Sequence, residues 1–208
     1  FIGKDNIVFH CIIFPVILRA HGDFILPANV PANEFLNLEG DKISTSRNWA
    51  VWIDDYLAEF PGRQDEMRFV LTKFSPETSD NEFTWKDYQS AINNELVAVL
   101  GNFVNRTLVL VHKYCDGVVP QITAGYKEMA LKKVEQAAAQ RDKVGGLIEG
   151  YRFREALNEA LALAREGNRF LTESEPWKTI KTDVEKTNFV LYVCVQYISY
   201  LALLIKPF

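Results

Sequence analysis

The chain has 208 residues, 48% of them apolar and 24% charged, with a net charge of −4. That length allows one or two domains with a real core, and the acidic balance excludes a protein that holds nucleic acid by bulk attraction alone. Residues 1–60 carry four basic and eight acidic side chains, while residues 141–208 carry ten and nine. Nucleic-acid contact is therefore expected to be local, shape-led and in the second half.

In chain order, "FIG" is apolar and reads as the end of a buried strand, and Lys4-Asp5-Asn6 is a polar start signal in which Asp5 can cap a first turn. A chain that opens on such a strand end is expected to be a fragment whose preceding part is missing. Ile7 to Ala20 reads as a mostly apolar helix holding Pro15. Gly22, Pro27 and Pro31 punctuate a loop. "EFLNL" and the run through Lys42-Ile43 flank Glu39-Gly40-Asp41, a hairpin turn in which glycine supplies the unusual dihedral. A helix is expected from Asn48 to Pro61, another over "DEMRFVLTKF", and a loop over "SPETSDNEF".

After Thr84 the pattern is helical. Ile92, Leu96, Val99, Leu100, Phe103, Val104, Leu108 and Val111 follow helical spacing. A second helix is expected to end near Gly145-Gly146, and Phe153, Ala156, Leu157, Ala160, Leu161 and Ala164 mark a third. "TESEPW" matches a Ser/Thr-x-x-Glu cap with Pro176 in the next first turn. Phe189–Ile205 is apolar enough to be checked as a membrane span, but Gln196, Ser199 and three tyrosines interrupt it, so a buried bundle helix is expected and no membrane. Cys11, Cys115 and Cys194 lie far apart with no CxxC pair, which suits a reducing cytosol and offers neither a disulfide frame nor a zinc knuckle. No signal peptide is visible.

The stretch that carries chemistry is "KISTS". Lys42 followed by Ser44, Thr45 and Ser46 can meet an anion: the ammonium neutralises charge while hydroxyls and successive N–H groups donate to phosphate. A solvated hairpin end is the plain alternative. His10, alone on an apolar helix, is by itself more readily a satisfied core residue than a ligand.

The order "FIGKD…H", then "EFLNLEGDKISTS", then a helix bundle with "EPW", resembles the second half of class I methionyl-tRNA synthetases over essentially the whole chain. "KISTS" stands where that family has Lys-Met-Ser-Lys-Ser, with Ile43 for Met and Thr45 for the second lysine. The resemblance implies a mainly α chain: the end of a Rossmann-type catalytic domain with its signature-loop hairpin over 1–47, a helical stem-contact region over 48–84, and an antiparallel anticodon-binding helix bundle over 85–208. It implies a ligase that activates methionine with ATP and Mg2+ and esterifies tRNA(Met) in the cytoplasm. Lys42 would serve the leaving pyrophosphate, with Ser44, Thr45 and Ser46 beside it. Gly3, Lys4 and Asp5 would approach ATP, while Asn6 and His10 would line the methionine pocket. Asn102, Arg106 and Trp177 match the positions that read the anticodon. Asn102 and Arg106 are four apart on one helix face, and an indole beside Pro176 suits stacking on an unpaired base. No metal ligands are expected here. Zinc is expected only upstream, together with the family's other ATP signature, so the fragment alone should be inactive. A free-standing helical RNA-binding module with a non-catalytic nucleotide loop is the alternative, and a helical scaffold that binds protein a third.

Overall fold

The computed structural model describes residues 1–208, which fall into two compact units, Phe1–Tyr88 and Gln89–Phe208. The division lies four residues beyond the break in pattern expected after Thr84.

In the first unit, β1 (Ile2–Gly3) pairs in parallel with β2 (Ala32–Asn33). A short 3-10 turn over Lys4–Asn6 leads through a π-wound segment, Phe9–Ile13, into α1 (Phe14–His21). Asp5 does not cap this start: Gly3 holds the N-cap position and no side chain bonds there. The Phe9–His21 stretch has no buried residue, and Val8, Ile12, Val16 and Ile17 are all more than half exposed. A helix apolar all round is one that a larger body would bury.

β3 (Leu36–Leu38) pairs antiparallel with β4 (Asp41–Lys42), in the register Leu38 opposite Asp41. Glu39 and Gly40 both take left-handed backbone, φ 48° and 85°, the geometry a two-residue hairpin needs and glycine supplies without strain. On its other edge β3 pairs in parallel with β5 (Asn81–Phe83), inside the segment expected to be a loop. That strand is too short to carry period-2 patterning; pairing with β3, 45 residues away in the register, specifies it.

The helix expected from Asn48 begins later, as α2 (Ile53–Glu59). The preceding residues are drawn off because Trp49 bridges back to Ser44 and Asn48 sits at φ 53°. α3 (Gln64–Lys73) buries Met67, Phe69 and Val70 as its pattern demands.

The second unit is helical. α4 (Trp85–Ala91), which starts in the first unit, runs without a break through a π-wound segment, Ile92–Gly101, into α5 (Asn102–Cys115). Its fully buried positions within α5 are Phe103, Thr107 and Val111, so Leu108 is exposed rather than part of the stripe. α6 (Ala124–Glu149), α7 (Phe153–Ser174) and α9 (Val184–Leu204) pack on one another as the bundle's centre.

Two boundary expectations give way to packing. α6 runs on past Gly145-Gly146, because its burial against α7 and α9 outweighs about 1 kcal/mol per helical glycine. Thr172 is not a cap: α7 continues through it, its hydroxyl donates to the Asn168 carbonyl at 2.9 Å, and the helix ends at Glu175 in left-handed backbone. Pro176 then opens the one-turn α8 (Pro176–Thr179) at its first position.

The α7 stripe of Ala156, Leu157, Ala160, Leu161 and Ala164 is completely buried. Each leucine there contributes about 1.5–3 kcal/mol. Gly167 continues that stripe and makes room for Phe103, whose ring atoms lie 2.3–2.7 Å from where a Cβ would stand. α9 is long and apolar enough for a membrane by composition, yet half of that window is buried inside the protein. Cys194, at its middle, is fully buried, and burial pushes its thiol well above the ordinary range.

Candidate functional site

Two groups of residues carry chemistry, one in each unit. In the first, the hairpin ending in β4 places Lys42 exposed beside a second, tighter hairpin. Ser44 and Trp49 exchange both backbone hydrogen bonds at 2.9 Å, and the Asn48 N–H closes the turn on the Thr45 carbonyl at 3.0 Å. Within it the Ser44 and Ser46 hydroxyls lie 3.1 Å apart, and the Arg47 N–H donates to the Ser44 hydroxyl at 3.4 Å. The small hydroxyl residues thus shape the turn as well as facing solvent.

The Lys42 ammonium rests over the Phe35 ring at 4.4 Å from its centroid, and Lys4 sits over the same ring at 4.3 Å. Such contacts contribute about 0.5–1 kcal/mol at exposed sites and leave the ammonium free to donate. Arg47 donates to the Lys42 carbonyl at 3.0 Å. It brings a second cation to a loop in which Thr45 supplies none. A basic residue just past the quoted stretch was the available signal for it.

The residues near the start are engaged differently. Lys4 bonds Asp80 at 2.6 Å and Glu34 at 2.7 Å, contacts that raise its pKa further above the ordinary lysine value. Asp80, which also accepts from the Phe35 N–H, is held below the usual carboxylate range by Lys4. Lys4 is thus a charge-compensated strut between β1 and β5 rather than a cation held ready for phosphate. His10 is not a core residue: it is half-buried, with Nδ1 3.2 Å from the Asn6 carbonyl and its ring edge-on to Phe9. Gly3, Asp5 and Asn6 are exposed, and no atom lies within 4 Å of where a Gly3 Cβ would stand.

In the second unit, Asn102, Arg106 and Trp177 converge. Asn102 Nδ2 donates to Asn168 Oδ1 at 3.1 Å, and Arg106 donates to the same oxygen at 3.3 Å and to the Thr172 hydroxyl at 3.3 Å. Asn168 is itself fixed, since its amide donates to the carbonyls of Val99 and Ala164 at 2.9 and 3.2 Å. The Arg106 guanidinium carbon lies 5.9 Å from the Trp177 ring centroid, within cation–π reach, and Trp177 stays 37% exposed.

Neither Asn102 nor Arg106 therefore points freely into solvent; both lean on α7. An amide, a guanidinium and an indole face share one patch, the combination that reads and stacks single-stranded bases. Asn168 and Thr172 escape a sequence reading because only the fold brings them under Arg106. The one hint was an amide at position 168, in register with Ala164 on the apolar face of α7. No group of three or more His, Cys, Asp or Glu side chains stands close enough to hold a metal ion.

The family described as tRNA synthetases class I (M) matches residues 1–108. That is more than half of the chain, and it decides the family. The chain belongs to the class I methionyl-tRNA synthetases. A second description, the anticodon binding domain of methionyl tRNA ligase, matches residues 119–208.

The methionine–tRNA ligase of Christiangramia forsetii is 58% identical over all 208 residues, and that of Porphyromonas gingivalis 57%. The chain spans 30% of the length of each. A structure of the Mycobacterium tuberculosis methionyl-tRNA synthetase in complex with methionyl-adenylate superposes with a TM-score of 0.84 at 27% identity, over 99% of this chain and 40% of that one. Within the methionyl-tRNA synthetase family, then, this chain corresponds to a minor part of a longer protein, mostly helical and carrying both the Lys42 hairpin and the Arg106 cluster.

Proposed function

We propose that the chain is part of a methionine–tRNA ligase that activates methionine with ATP and Mg2+ and transfers it to tRNA(Met) in the cytoplasm. The observation that carries this reading is the pairing of two sites across the two family matches: a cationic hairpin loop in the first unit and an amide–guanidinium–indole patch in the second. In the first step the methionine carboxylate attacks the α-phosphate of ATP and pyrophosphate leaves. Lys42, with Ser44, Thr45 and Ser46 around it, stabilises the charge that develops on that leaving group, where positioned cations matter more than covalent chemistry. Arg47 orders the loop through the Lys42 carbonyl. Asp5 and Gly3 serve the ATP ribose, and Asn6 and His10 the methionine pocket.

In the second unit, which we take as the antiparallel anticodon-binding bundle, Trp177 offers the stacking face while Asn102 and Arg106 offer hydrogen bonds to base edges. The apolar surround of Phe9–His21 also suits a helix that sits inside a larger catalytic domain. The match of both halves to one synthetase family leaves a free-standing RNA-binding module without support.

The test is Trp177→Ala in a full-length protein carrying this chain. The expected result is a loss of about 1–3 kcal/mol in kcat/KM for tRNA, the scale of one base–aromatic stack, with methionine activation unchanged. Arg106→Ala should act alike and relax discrimination among anticodons. A Trp177→Ala protein that melts earlier but charges tRNA normally would make the indole a mere staple between helices.

A further inference from the structure

The first unit holds an open cleft of about 410 Å³ that none of the residues in the proposed reaction lines. Three of the chain's four tryptophans, Trp49, Trp52 and Trp85, form its walls together with Glu39, Asp55 and Glu59. No lysine or arginine is among its lining residues.

The tryptophans are held in place while their rings stay open. Trp49 Nε1 donates to the Leu38 carbonyl at 3.0 Å and Trp52 Nε1 to Asn48 Oδ1 at 2.9 Å. The Trp85 backbone N–H donates to Glu39 Oε1 at 2.8 Å, which ties one carboxylate to one indole. All three side chains are nevertheless about two-fifths exposed, an expensive way to use the most hydrophobic surface in the unit unless something covers it.

The carboxylates add a second signature. Asp55 and Glu59 stand four residues apart on the same side of α2, a like-charge spacing that destabilises a helix unless a cation relieves it. Aromatic faces beside unrelieved carboxylates attract organic cations, and a guanidinium suits them best: it stacks flat on an indole while its edge forks to carboxylate oxygens, which an ammonium cannot do at once. The volume lies in the range of ligand sites and exceeds a guanidinium head severalfold, leaving room for flanking backbone. Three carboxylates also repel phosphate, so an RNA strand is disfavoured despite the stacking faces.

We propose that this cleft is a docking site for an arginine side chain presented by a basic polypeptide segment, a role separate from methionine activation.

The experiment is a tryptophan-fluorescence titration of the 208-residue chain with acetyl-Gly-Arg-Gly-Arg-Gly amide and with the same peptide carrying neutral citrulline for arginine. Saturable quenching by the arginine peptide is expected, with at least tenfold weaker binding of the citrulline peptide. At least tenfold weaker binding is also expected for the Asp55→Asn, Glu59→Gln double variant and, independently, for Trp52→Leu, each with an unchanged far-UV spectrum. Equal binding of the two peptides, or undiminished binding by the double variant, would overturn the proposal. So would free arginine amide binding as tightly as the peptide, or displacement of the peptide by oligouridylate. Pyrophosphate exchange does not enter any of these readouts, so they stand or fall apart from the proposed ligase activity.

Discussion

The two units of this chain solve opposite problems. Residues 89–208 bury their own apolar faces: Phe103, Leu157, Leu161, Leu171, Leu191 and Leu201 are sealed inside helices that pack on each other. Residues 1–88 leave a whole helix uncovered, and Ile25 in the following loop is 94% exposed. The difference shows in their chemistry as well. The bundle brings its three recognition residues together through Asn168, whereas in the first unit Lys42 and Lys4 share only an aromatic ring and His10 answers to its own helix. Helical packing completes a site from within one chain segment, while a nucleotide fold completes it from strands and loops far apart in sequence.

The comparison can be broken most sharply at Lys42. In a full-length protein, Lys42→Ala should slow adenylate formation by about two to three decades, the effect of removing one preorganised charge, with methionine affinity unchanged. Wild-type rates of ATP–pyrophosphate exchange would deny the first unit its catalytic part. A smaller effect probes the bundle's self-sufficiency. Gly167→Ala forces a methyl against the buried Phe103 ring and should cost about 1–3 kcal/mol by overpacking, read as a lower urea midpoint for the second unit only. A melt in which the first unit also shifts would contradict independent units. Smallest is the relief of like charge on α2: Asp55→Asn with Glu59→Gln should stabilise the first unit by about 0.2–0.5 kcal/mol, measured at low salt, where a decrease would mean those carboxylates hold unseen partners.

The same contrast governs what could be read beforehand. The α7 stripe, the Glu39-Gly40 hairpin and the burial of α9 follow from local rules, because 3.6-residue spacing and a left-handed glycine are written in adjacent residues. β5 was unreadable because three residues become a strand only when β3 is alongside. The delayed start of α2 needed the Ser44–Trp49 bridge, and the loss of the Thr172 cap needed α7 to extend under Arg106. At the sites, residue types pointed to Lys42 and to the Asn102–Arg106–Trp177 set, and the fold then brought that set into one patch. The carboxylates that claim Lys4, Glu34 and Asp80, come from 30 and 76 residues away and belong to no motif.

The long helix that runs from Trp85 to Cys115 is wound two ways, and this has a consequence for how the sequence can vary. Over Ile92–Gly101 each turn takes in an extra residue, so the inward positions recur every four residues, at 92, 96 and 100. From Asn102 the ordinary pitch resumes and the inward positions become 103, 107 and 111. The segment therefore acts as a phase-setter: it decides at what angle everything downstream leaves it. Removing one residue there would rewind the segment toward ordinary pitch and rotate the rest by about 100°. Either Phe103 would leave its niche at Gly167 or Asn102 and Arg106 would turn away from Asn168. Length variation, tolerable in the loops on either side, is forbidden in these ten residues although most of their side chains touch nothing essential.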